Sequence, residues 1–91
     1  MKEQSVIIRM SRDAGRRKAK HNVSVFERYG ITVFVKNGDG FFTLAAPGEK
    51  ARHIYYDNVR ELAGVAMMSE DDTLFFDNRG AFAPAEEYFG D

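Results

Sequence analysis

The sequence predicts an α+β fold, an antiparallel β-meander with one main helix packed on one sheet face. Three observations carry that expectation. The tetrapeptides Glu27-Arg28-Tyr29-Gly30, Asn37-Gly38-Asp39-Gly40 and Asp77-Asn78-Arg79-Gly80 each end in glycine and separate β-branched or aromatic runs. Glycine supplies the positive φ that a hairpin loop needs, so each reads as a hairpin turn. Around the second of them, apolar and polar residues alternate at the period of a strand. Further on, Val59, Leu62, Ala63, Ala66 and Met67 recur at the period of a helix.

In chain order, Val6-Ile7-Ile8 reads as a first strand. The basic stretch Arg12 to Lys20 has only Ala14 and Ala19 as apolar residues and contains Gly15. With no stripe to pack, it is expected to be a mobile arm or loop. Asn22-Val23-Ser24-Val25-Phe26 is a poor helix former and a good strand. The alternative is a helix over residues 13–29, capped by Gly30, in which Ile31 meets Phe26 as in a Schellman ending.

If Asn37 to Gly40 is a loop, Val35 faces Phe42, Val33 faces Leu44 and Ile31 faces Ala46. Ile31, Val33, Val35, Phe42, Leu44 and Ala46 then share an all-apolar face. Ser24, Phe26, Thr32, Phe34, Lys36, Phe41 and Thr43 fall on the other face. Three phenylalanines among hydroxyls and a lysine need a covering layer or a partner. His53 precedes Ile54-Tyr55-Tyr56 and reads as a strand-edge residue. The main helix is expected over about 57–68, with Asp57 as its N-cap and Leu62 and Ala66 against the apolar face. Glu70-Asp71-Asp72 reads as a turn. Pro84 before Glu86 and Glu87 reads as a short helical turn, where early carboxylates suit the helix dipole.

Ninety-one residues, 44% of them hydrophobic and 13% aromatic, suit one small folded domain over residues 1–91. The chain has no cysteine, which excludes disulfides and thiolate metal sites. The longest apolar stretch, Leu62 to Met68, is too short for a membrane span. A cytoplasmic protein with no membrane partner is the expectation. His21 and His53 are the only histidines, in no spacing that builds a zinc site or a triad. No catalytic, metal or cofactor-binding residue is therefore assigned, and a non-enzyme is expected.

Charge is the strongest functional signal. Lys2, Arg9, Arg12, Arg16, Arg17, Lys18 and Lys20 crowd the first 21 residues against Glu3 and Asp13. Glu70, Asp71, Asp72, Asp77, Glu86, Glu87 and Asp91 crowd the last 22 against Arg79. Such polarity points to charged partners, or to an arm and a tail that meet. The expected function is non-catalytic protein binding, as a small inhibitor or adaptor of a nucleic-acid-handling complex, of the kind phages and mobile elements encode. Its expected partner-binding residues are Phe26, Phe34, Lys36 and Phe41 on the sheet, Arg12, Arg16, Arg17, Lys18 and Lys20 on the arm, and Glu86, Glu87, Tyr88 and Phe89 at the acidic end. The second reading is a single-stranded nucleic-acid binder using the arm and the aromatic face. The third is a structural homodimer through that face. A competing expectation is that Tyr88 and Phe89, or the first strand, fold back and cover the aromatics.

Overall fold

The computed structural model of the chain describes residues 5–38, 40–62, 65–69 and 79–89. Along them run β1 (Ser5–Ser11), α1 (Arg16–Glu27), β2 (Phe34–Gly38), β3 (Phe41–Pro47), α2 (Glu49–Asp57), β4 (Val65–Ser69), β5 (Ala83–Pro84) and α3 (Glu86–Phe89). Short 3-10 turns lie at Arg12–Ala14 and Arg79–Ala81. The strands form one antiparallel sheet in the order β4-β1-β3-β2-β5. The α+β class with an antiparallel sheet is the one expected, but the connections are not those of a meander. β3 lies inside the β1-α1-β2 unit and β1 lies inside the β3-α2-β4 unit, a split β-α-β arrangement.

The β2–β3 hairpin keeps its expected faces in a different register. Val35 pairs with Leu44 and Gly38 with Phe41, which leaves two residues in the loop, with Gly40 at φ 77°. The expected four-residue loop is thus two residues shorter. A shift of two preserves the alternation, whereas a shift of one would turn every side chain to the other face. Val33, Val35, Phe42, Leu44 and Ala46 are accordingly buried together, joined by Val6, Ile8 and Met10 of β1. Ile31 packs partly buried against them.

The helices are not where the sequence led us to expect them. Residues 16–27 form α1, not an arm followed by a strand, so the alternative reading holds. Ala19, Asn22, Val23 and Phe26 make its buried stripe, and the polar Asn22 in that stripe disguises the period. The end is a Schellman motif. Gly30 N–H donates to the Glu27 carbonyl and Ile31 N–H to the Phe26 carbonyl, at 3.0 and 3.2 Å, with Gly30 at φ 81°. Glu27–Gly30 is therefore a helix ending rather than a hairpin.

The main helix expected over 57–68 is not formed. α2 ends where that helix was to begin, residues 58–61 are turns, and 65–69 pair with β1 as β4. Both the backbone N–H and the side-chain amide of Asn58 donate to the Ile54 carbonyl, at 3.0 and 2.8 Å, which closes α2. Ala51 and Ile54 are its buried residues, and His53 is an exposed helical residue rather than a strand edge. A short apolar run such as Val65 to Met68 suits a buried strand or a buried helix equally by pattern. Here β1 offers it a ladder of backbone partners. Leu62 still packs partly buried against the core.

At the C-terminal end, α3 forms the short helical turn expected after Pro84. Of the third expected hairpin, Arg79–Ala81 is a 3-10 turn, while Asp77 and Asn78, like the turn Glu70–Asp72, lie outside the described residues.

Candidate functional site

The phenylalanines expected to share an open face are separated by the fold. Phe26 sits on α1 and is 1% exposed. Phe34 is half-buried in a small cluster with Ile7, Ala45 and Phe82, on the sheet face away from the main core. Phe41 alone of the three is exposed, at 36%. Neither Tyr88, Phe89 nor the first strand covers that face, contrary to the covering expected of them. Phe89 is buried in the main core, with its ring edge-on to Phe42 at 5.5 Å, and Tyr88 is partly buried beside it. Ile7 lies within the sheet, and Phe82 supplies part of the cover. Glu86 and Glu87 are exposed in the first turn of α3.

The basic residues, by contrast, are gathered. β1 ends at Ser11, which pairs with Phe41 at the mouth of the β2–β3 hairpin. The Ser11 hydroxyl accepts from Asp13 N–H at 3.1 Å and so caps the turn Arg12–Ala14. Arg12 N–H donates to the Gly40 carbonyl at 3.0 Å, fixing that turn to the hairpin. α1 starts directly after it. This end of the molecule therefore carries Arg9, Arg12, Arg16, Arg17 and Lys18 along one stretch of chain, with Lys36 from β2. Asp13 is the one carboxylate in that stretch, and β1, β2 and β3 contain none.

On the sheet, Arg9 pairs with Thr43, and Thr43 with Lys36, so the three form a row across β1, β3 and β2. The Arg9 guanidinium lies over the Phe41 ring, 4.4 Å from its centroid. An exposed cation–π contact of this kind contributes about 0.5–1 kcal/mol. Arg9 is the residue that the charge count included and the site assignment overlooked. Its signal was position: a lone arginine between Ile8 and Met10 must fall on the face away from the core.

The cations differ in how they are engaged. Arg16 Nη2 donates to the Tyr88 carbonyl at 2.8 Å, and its guanidinium lies 6.0 Å from the Phe89 ring centroid, so it anchors α3. Lys20 is exposed on α1, beside an open hollow of about 650 Å³ that it shares with Glu27 and Glu86. Among the described residues, no carboxylate lies within ion-pair distance of Arg12, Arg17 or Lys18. Arg16, Arg17 and Lys18 also occupy the first turn of α1, where the partial positive charge of the helix end opposes them. The N-cap, Gly15, offers no side-chain oxygen. Each misplaced cation costs about 0.3–1 kcal/mol, and a glycine cap in place of a serine or aspartate costs only about a few tenths of a kcal/mol.

The other end of α1 is neutralised. Arg28 pairs with Glu61 at 3.5 Å, and His21 Nε2 donates to the Glu61 carbonyl at 2.9 Å. Around it, Tyr29, Tyr56 and Val59 are exposed. Among the described residues, no three His, Asp or Glu side chains are grouped to hold a metal ion, and no helix is long and apolar enough to cross a membrane. No protein-family model, curated protein or solved structure matches the chain.

Proposed function

We propose that this protein is a non-catalytic binding domain whose cationic end, formed by Arg9, Arg12, Arg17, Lys18 and Lys36, receives a polyanionic macromolecule. The observation that carries the reading is that Arg9, Arg12, Arg17 and Lys18 follow one another from β1 into the first turn of α1 with Asp13 as the one carboxylate between them, while Lys36 stands in the cross-strand row of Arg9. Arg17 and Lys18 sit in a helix turn that would be more stable with acidic residues. Charge retained against local stability is accounted for by a partner that neutralises it. The near-zero total charge does not oppose this, because screening confines each charge to about 10 Å at moderate salt.

The test is the salt dependence of binding to a phosphate polymer. If all five cations met phosphates of a single strand, log K would fall against log salt with a slope of about −3.5. Replacing Arg17 and Lys18 by alanine should reduce its magnitude by about 1.4. A slope near zero, or one unchanged by the double substitution, would reject the cationic end as the binding surface.

A protein partner is the second reading, and Tyr29, Tyr56 and Val59 favour it. Exposed aromatic residues of this kind anchor protein interfaces. A protein captured by the wild type but lost from a Tyr56→Ser, Val59→Ser variant of unchanged stability would support it. Equal capture by both would remove it.

A further inference from the structure

We propose that the Arg9–Phe41 pair is a stacking platform for a base of single-stranded nucleic acid. The proposal rests on reading the cationic end as a polyanion surface and names the polyanion. Among the described residues of the sheet, Phe41 is the one phenylalanine with much of its ring in solvent, and the Arg9 guanidinium lies 4.4 Å from its centroid. A guanidinium held over an exposed aromatic ring, on the sheet face away from the main core, presents a polarisable surface. Unstacked bases settle on both aromatic rings and guanidinium planes.

Among the described residues Arg9 makes no side-chain hydrogen bond or ion pair, so its N–H donors can meet a phosphate oxygen through paired hydrogen bonds. Lys36 stands in the same cross-strand row, with Thr43 between them, about 10 Å from Arg9 by the strand spacing. The opposite flank leads through Ser11 to Arg12 and the first turn of α1. A chain of phosphates passing the platform therefore has a cation on either side.

The surroundings favour a single strand over the other polyanions. A duplex keeps its bases stacked on one another and gives a flat π-surface nothing to bind. An acidic protein surface would use the charges, and would engage the ring only through an apolar side chain set among its carboxylates. Toward the far end of the sheet, Phe34, Ile7 and Ala45 are covered in part by Phe82. The platform is thus where the covered apolar half gives way to the open cationic half.

The experiment compares four probes by fluorescence anisotropy on the full chain: a short oligothymidylate, an abasic phosphodiester of equal length, a duplex of equal length, and polyaspartate. Stacking of one base predicts that the oligothymidylate binds about tenfold more tightly than the abasic chain. Phe41→Leu should abolish that difference and leave abasic binding unchanged, while Phe41→Tyr should preserve it. Arg9→Ala should weaken both and shrink the gap. Circular dichroism checks that each variant is folded, and Phe41→Tyr keeps the test decisive if the leucine variant is not.

Equal binding of the oligothymidylate and the abasic chain would overturn the platform while leaving the cationic end as a polyanion surface. Tighter binding of the duplex or of polyaspartate would overturn it in favour of that partner. Failure of all four probes would overturn the cationic reading itself.

Discussion

Two glycines show how much of this fold rests on single backbone positions. Gly30 has φ 81° and donates one of the two closing hydrogen bonds of the Schellman ending, whereas Gly38 has an ordinary strand conformation with nothing within 4 Å of where a Cβ would sit. An alanine forced into the left-handed region costs about 1–2 kcal/mol. Gly30→Ala should therefore destabilise the protein by that amount in urea unfolding, and Gly38→Ala should change it by less than about 0.5 kcal/mol. Equal effects at the two sites would mean that the Schellman ending contributes nothing. The sequence already marked Gly30 as special without saying why, because a hairpin and a helix ending both ask for the same φ. It could not tell Phe26 from Phe41 either. Both are phenylalanines on alternation-compatible positions, and only the choice between helix and strand at 22–26 buries one and exposes the other.

At the scale of elements, α1 joins two opposed demands. Its inner stripe holds Ala19, Val23 and Phe26 in the core, while its outer first turn collects Arg16, Arg17 and Lys18. Reversing the charge at Arg17 and Lys18 to glutamate should stabilise the isolated protein, by about 0.3–1 kcal/mol for each residue, because carboxylates suit a helix start. The same variant should lose polyanion binding. Thermal unfolding together with anisotropy reads both effects, and a variant that is less stable or binds as before would contradict the account of this turn.

The β2–β3 hairpin was legible in the sequence because its alternation and its glycine turn agree. α2 was not. Its buried residues are Ala51 and Ile54, with Tyr55 packed partly buried beside them; the alanine is too small to register as a stripe, and Ile54-Tyr55-Tyr56 mimics a strand. The cations of the site were equally legible as a group. Their gathering at one end was not, since it depends on a turn that ties Arg12 to Gly40.

For the molecule as a whole, the C-terminal end belongs to the core as much as to the surface. Phe89 closes the space beside Phe42, and Arg16 reaches across to hold the Tyr88 carbonyl. Truncation after Ala85 should cost about 3–5 kcal/mol, the usual effect of losing a buried phenylalanine. That is a large part of a typical stability of about 5–15 kcal/mol. A truncated protein with an unshifted urea midpoint would return α3 to the role of a free tail.

The strand order has a consequence in time as well as in space. β1 leaves the ribosome before the other strands, yet its two ladder partners are β3 and β4, with Ser5 opposite both Pro47 and Ser69. Until those segments are synthesised, Val6-Ile7-Ile8 has neither neighbour to pair with. The β2–β3 hairpin can close locally well before then. Pairings so distant in sequence slow folding relative to a helical bundle of the same size. This buried strand is thus made well before either of its neighbours, and the nascent chain carries Val6-Ile7-Ile8 unpaired until Phe41–Pro47 has followed it.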